Sequence, residues 1–207
     1  TGVNEGYVGT MYGYTEDVRL LYDPEDYVWF KPTNEYSTYY YDTWFNFDFE
    51  FPLFIDTDTN NSYLMYMGGD CKIVKIVTDN HNGRRLMVVK DSYGNAEIPF
   101  YTGSFEEIYV TDMRYFNVNM INFIQDLGIT DVLFTMCSYS VVGVNAENLS
   151  TLLTQRADER VVDPLVAGEA EGPEAPEETE NAEADDGEIV ENEDVDAETE
   201  SNDGAEE

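Results

Sequence analysis

This chain of 207 residues predicts an α/β protein built on parallel strands, and three observations predict it. From Arg84 onward, apolar runs of strand length alternate with segments of helical periodicity, the pattern of strands joined by crossovers. A serine, Ser92, follows the apolar run Leu86-Met87-Val88-Val89 on the turn Lys90-Asp91-Ser92-Tyr93-Gly94-Asn95. Open α/β sheets present ligand-binding groups at that end of a strand. The third observation is charge. Residues 164–207 carry 19 acidic side chains and no Lys or Arg, whereas residues 1–163 carry 25 acids against 10 bases. The expected organisation is one α/β domain over residues 1–160, followed by an acidic tail, 161–207. The tail has too few large apolar side chains to offset its ordering entropy, so disorder is expected there. Residues 1–83 are read as a β-rich, irregular portion that covers the sheet edge or the site.

The elements follow in order. Residues 7–22 hold strand-like pieces with glycines. Residues 36–54 are dense in aromatics, and Phe45-Asn46-Phe47-Asp48-Phe49-Glu50-Phe51 alternates as a half-buried strand does. Residues 72–78 read as another strand. Residues 84–90 form a buried strand, 95–103 a short helical segment interrupted by Pro99, and 107–112 a second strand centred on Ile108-Tyr109-Val110. Residues 119–127 place Met120, Ile121, Phe123, Ile124 and Leu127 at helical spacing, and Gly128 is placed to end that helix. A third strand spans 131–137. A last helix starts at Asn145 or Ala146 and runs to about Arg156, with Leu149, Leu152 and Leu153 on its apolar face.

Composition excludes some functions. The acidic body has no basic face for nucleic acid or anionic membrane, and no apolar run is long enough to span a bilayer. Cys71 and Cys137 lack metal-ligand spacing, and a disulfide between them stays open. Asp56-Thr57-Asp58-Thr59-Asn60-Asn61 begins like a calcium loop but has Asn61 where the glycine belongs and Met67 where the glutamate belongs, so a polar turn is expected. Neither a metal nor a cofactor is expected. The start at Thr1-Gly2, without an initiator Met, suggests part of a longer protein with its export signal upstream.

Ser92 is the strongest candidate for chemistry. A serine hydroxyl becomes nucleophilic when a base takes its proton, and the oxyanion that follows needs preorganised donors. The amide of Ser92 or its neighbour and the side chain of Asn95 are candidates for those donors, and Asp91 is counted with Ser92 and Asn95 among the candidate catalytic residues. The alternative is a plain strand-to-helix turn capped by Asp91 or Ser92. Arg114, oriented by Asp112, would bind a carboxylate or hold a carboxyl group in the site, or else form an ion pair at the sheet rim. Tyr93 and Tyr115 flank these residues as substrate contacts. His81, the one histidine, precedes the strand that leads to Ser92. Seven strand residues separate the two loops by roughly 20 Å, which excludes it as the base.

Several blocks together carry a resemblance. They are Leu86 through Asn95, Pro99-Phe100, Glu107-Ile108-Tyr109-Val110-Thr111-Asp112-Met113-Arg114-Tyr115-Phe116-Asn117 and Gly128-Ile129-Thr130-Asp131-Val132-Leu133-Phe134, with Gly9-Thr10-Met11-Tyr12 and Tyr66-Met67-Gly68-Gly69-Asp70. The combination resembles the C-terminal part of the bacterial DHHW family, which is related to SGNH hydrolases and alginate O-acetyltransferase-like proteins. The resemblance implies a flavodoxin-like, three-layer parallel sheet. It also implies esterase or acyltransferase chemistry on extracytoplasmic polysaccharide or another acyl-bearing small substrate, with Ser92 at the nucleophile position. The Asp-His-His-Trp motif is not in this sequence, so the fragment is expected to be inactive alone. The competing functions are a non-catalytic cell-surface protein that binds glycan through the aromatic tract near Tyr39 to Trp44, and an intracellular interaction domain.

Overall fold

The computed structural model describes residues 1–56 and 59–168. The main sheet has six strands: β3 (Tyr36–Tyr41), β4 (Phe47–Glu50), β5 (Ile73–Thr78), β6 (Arg85–Lys90), β7 (Glu107–Asp112) and β8 (Asp131–Thr135). Their order across the sheet is β4-β3-β5-β7-β6-β8. Among the described strands β6 alone has parallel neighbours on both sides, β7 and β8. The pairs β3–β4, β3–β5 and β5–β7 are antiparallel. The sheet is therefore mixed, and the expected flavodoxin-like parallel sheet is not formed. The cause lies in residues 1–83, which do not merely cover the sheet but supply half of its strands. Because β5 runs against β7, its end and the start of β6 share one edge, and the six-residue connection 79–84 suffices to pass over β7.

Successive residues of β6 face opposite sides, as the pleat requires. Met87 and Val89 join Tyr41, Phe45, Ile73, Tyr109, Phe123 and Leu152 in one core. Leu86 and Val88 join Tyr40, Leu53, Met67, Val74, Ile76, Ile98, Ile108 and Val110 in the other. The first core lies under α3 (Met120–Asp126) and α5 (Ala146–Thr154). Asn119 caps α3 by accepting from the amide of Asn122, and Gly128 follows at φ +64°. The expected helix at 95–103 is instead a 3-10 segment, Ser92–Tyr101, with Pro99 inside it. Proline lacks the N–H an α-helical ladder would need there.

The N-terminal pieces read as strands at 7–22 fold differently. β1 (Gly2–Tyr7) and β2 (Glu25–Trp29) form a separate antiparallel pair, while Thr10–Thr15 (α1) and Arg19–Tyr22 (α2) are short helices. Tyr27 and Trp29 pack against Phe54, Met65 and Tyr66. At the other terminus, α4 (Ser138–Val142) follows β8, and α6 (Pro164–Ala167) closes the described chain. The expected tail, 161–207, enters the described residues only over 161–168. Within that stretch Asp163 is buried and accepts from Lys75 Nζ at 2.6 Å and from Tyr41 Oη at 3.3 Å. The disorder expected beyond concerns residues 169–207, which lie outside those described. Thr57 and Asp58 of the calcium-like turn lie outside them too. Among the described residues, no helix is long and apolar enough to cross a membrane.

Candidate active site

Ser92 is half-buried and opens the 3-10 segment at the C-terminal end of β6. Two local features hold it there. Asp91 Oδ1 accepts from the amide of Tyr93, and Asp91 Oδ2 accepts from the amide of Cys137, each at 2.9 Å, which ties the turn to the end of β8. Gly94 lies directly on β6: a Cβ there would stand 2.8 Å from Lys90 Cβ and 3.3 Å from Thr135 Cγ2. Gly94→Ala is accordingly expected to cost about 1–3 kcal/mol by overpacking. Urea denaturation checks it, and an unchanged midpoint would show that the turn can shift freely.

The structure brings Ser92 to a partner the sequence did not single out. Its side chain lies beside the Tyr63 phenol. The Tyr63 phenol donates to Asp70 Oδ1 at 2.6 Å. Arg114 Nη2 reaches Asp70 Oδ2 at 2.8 Å and Asp112 Oδ2 at 2.7 Å, while its Nε donates to Asp112 Oδ1 at 2.9 Å. Asp112 also accepts from the fully buried Lys90 at 3.2 Å. A chain of polar contacts thus runs from the serine into the floor of the sheet. The signal that could have pointed to Asp70 is the pair Gly68-Gly69, both at positive φ (+71° and +100°), which makes a turn just before β5 that glycine adopts without strain.

Protonation states follow from this packing. Burial pushes the Tyr63 phenol up and the Asp70 carboxylate raises it further, so it stays neutral at ordinary pH. Burial also works against ionised Asp112, but the Arg114 hydrogen bonds and the Lys90 charge prevail and hold its carboxyl below the usual range. Asp91 likewise ends below it: burial is outweighed by hydrogen bonds from Ser140, Cys137 and Tyr93. Burial pushes the Cys71 thiol up to about 12, so it is no competing nucleophile at neutral pH. Both Cys71 and Cys137 are free thiols.

The other expected site residues fall as follows. Asn95 is buried, and its Nδ2 donates to the Gly69 carbonyl at 3.0 Å, anchoring the 3-10 segment to the loop that carries Asp70. Tyr93 is exposed, and Tyr115, partly exposed, lies beside the Arg114 guanidinium. His81 is exposed in the connection between β5 and β6, at the end of β6 opposite Ser92. Much of the aromatic tract faces inward: Tyr40, Tyr41 and Phe45 are core residues, and Trp44 stacks under Arg156. A cavity of 360 Å³ under residues 160–166 and another of 230 Å³ beside Trp44 are both lined by residues away from Ser92. Among the described residues no group of three or more His, Cys, Asp or Glu could hold a metal ion.

No known family profile matches the chain, and no curated protein does. Solved structures do match. A DHHW family protein from Eubacterium siraeum DSM 15702, known from a crystal structure, is 49% identical over 75% of this chain, with a TM-score of 0.70. Two structures of Bacillus cereus PatB1 overlap more weakly. The one with a sulfonyl adduct is 24% identical (TM-score 0.47), the other 26% (TM-score 0.48), and each match covers 57% of this chain and 42% of PatB1. Those two overlaps are too partial to bear on function. The chain spans about half the length of the Eubacterium siraeum protein, 53%. Over three quarters of its own length, then, this chain is similar in sequence and in fold to a solved DHHW family protein.

Proposed function

We propose that this chain is the serine-bearing part of a DHHW family protein and that Ser92 is the nucleophile of an ester hydrolysis or acyl transfer. The observation that carries the reading is the position of Ser92 at the C-terminal end of an interior strand with parallel neighbours on both sides, next to Tyr63. In the reaction, Ser92 Oγ attacks the acyl carbon and its proton passes to a base. The ester C–O bond breaks, the alcohol leaves with a proton, and the acyl group stays on Ser92 until water or an acceptor hydroxyl takes it. The Ser92 amide is the backbone donor assigned to the developing oxyanion, because the Tyr93 amide donates to Asp91 Oδ1 and the Gly94 amide to the Asp91 carbonyl, with Asn95 supporting that segment from behind. Tyr63, neutral and held by Asp70, positions the serine; Asp112 and Arg114 form the floor. Asp91, saturated by two backbone amides, holds the turn.

The base is a histidine from outside this sequence, in the part of the family's length that this chain does not span. Substrates of this reading are acyl groups on extracytoplasmic polysaccharide. The experiment is active-site labelling with a fluorophosphonate, read by mass spectrometry, on the chain supplied with the remaining part of the Eubacterium siraeum relative. A single adduct on Ser92 is expected, absent from Ser92→Ala. Tyr63→Phe is expected to slow labelling about 3- to 10-fold, the worth of one hydrogen bond, with the thermal midpoint little changed. Equal labelling of Ser92→Ala would overturn the assignment.

A further inference from the structure

The two edges of the main sheet are built differently. β4 is four residues long and carries Asp48 and Glu50, the short, charged form that protects an edge from pairing with another chain. β8 is less protected: of its five residues only the first, Asp131, is charged, and it is paired with Arg84. It is the last strand in the order, and among the described residues nothing pairs with its outer side. Val132 is 41% exposed and Phe134 51%, on the same face of the strand. In α4 and just beyond it, Tyr139, Val141, Val142 and Val144 are exposed as well. Residues 132–146 form an uncharged run of fifteen in a chain that is 26% charged. A surface meant for water in so acidic a protein would carry acids; a run this apolar at an open strand edge marks an interface.

We propose that β8 and α4 are the docking surface for one occupant, the polypeptide equivalent to the just under half of the DHHW family protein that this chain does not span, which adds a strand to the free edge. Two facts select that occupant. The relative that shares this fold at 49% identity contains a further portion of comparable length. The end of β8 also adjoins the serine turn, through the Cys137 amide on Asp91 and Thr135 Oγ1 on Glu97 Oε2 at 2.9 Å. A strand laid on β8 lies about 4.8 Å from it, so its end reaches the neighbourhood of Ser92. The docking rests on the edge itself; only its role in bringing a base to Ser92 rests on the acyl-transfer reading.

The test mixes the full chain with the separately produced remaining part of the Eubacterium siraeum protein, or co-expresses the two. Light scattering and hydrogen exchange are the readouts. A one-to-one complex is expected, with exchange slowed across β8. Phe134→Lys, at an exposed position, is expected to weaken the complex at least tenfold without lowering the thermal midpoint of the chain. Unchanged exchange at β8, a homodimer of this chain that protects the same amides, or undiminished binding by Phe134→Lys would each overturn the proposal. Docking without phosphonate labelling of Ser92 would overturn the acyl chemistry alone. Labelling without protection of β8 would overturn the docking alone.

Discussion

Asp112→Ala is expected to destabilise the fold by about 3–5 kcal/mol, because it leaves a charged group in the interior without its counter-charge. Lys90 and Asp112 are both fully inaccessible, and their contact is 3.2 Å. Among the described residues the lysine pairs with no second carboxylate, since the ion pairs at this edge run Lys90–Asp112 and Asp112–Arg114–Asp70. For a protein of this size the loss corresponds to a fall of about 6–20 °C in thermal midpoint. Urea and thermal denaturation measure it. A change below about 1 kcal/mol would mean that Lys90 finds water or another partner.

The same carboxylate predicts an acid dependence. Its folded pKa lies below its unfolded value, so its contribution is fully present above the ordinary carboxylate range, near pH 4, and is lost as pH falls through the lower folded value. Asp91 acts in the same direction. In Asp112→Ala the loss of stability between about pH 4 and pH 2 should therefore be shallower than in the parent.

Phe123→Ala is expected to cost a further about 3–5 kcal/mol by a different route, the cavity left by a large ring in a close-packed core. Phe123 is fully buried on α3. Its ring meets Phe45 at 4.9 Å, Phe116 at 5.3 Å and Tyr109 at 5.4 Å, all edge to face. Those three rings come from the loop before β4, from β7 and from the chain just after it, so one side chain joins the helix layer to both halves of the sheet. Ile121→Ala, on the exposed side of the same helix, is the control and should cost well under half as much. Comparable losses for the two variants would place the core elsewhere.

How much of this was legible beforehand depends on the range of the signal. The strands at 85–90, 107–112 and 131–135 and the helices at 120–126 and 146–154 follow from local periodicity, and they appear within a few residues of expectation. The position of Ser92 at the end of β6, and of His81 at the other end, follows from chain order alone. Periodicity reports which residues are buried but not which strand lies alongside. Central strands such as Ile73–Thr78 and Arg85–Lys90 both read as near-continuous apolar runs, although one pairs antiparallel on both sides and the other parallel. The mixed sheet was hidden for that reason.

The polar partners were hidden for another. Tyr63 and Ser92 are 29 residues apart in the chain, Asp70 and Arg114 44 apart, Lys75 and Asp163 88 apart. Nothing in the local sequence distinguishes a tyrosine that will lie beside a serine and donate to an aspartate from one that will sit in water. The amino-acid order by itself determined the main elements from residue 85 onward and the position of Ser92 at a strand end, because these depend on neighbours within a turn or a strand. Tertiary structure alone decided strand direction, the Tyr63–Asp70–Arg114 support and the bare β8 edge, because each is a contact between segments whose meeting is set by the packing of the whole chain.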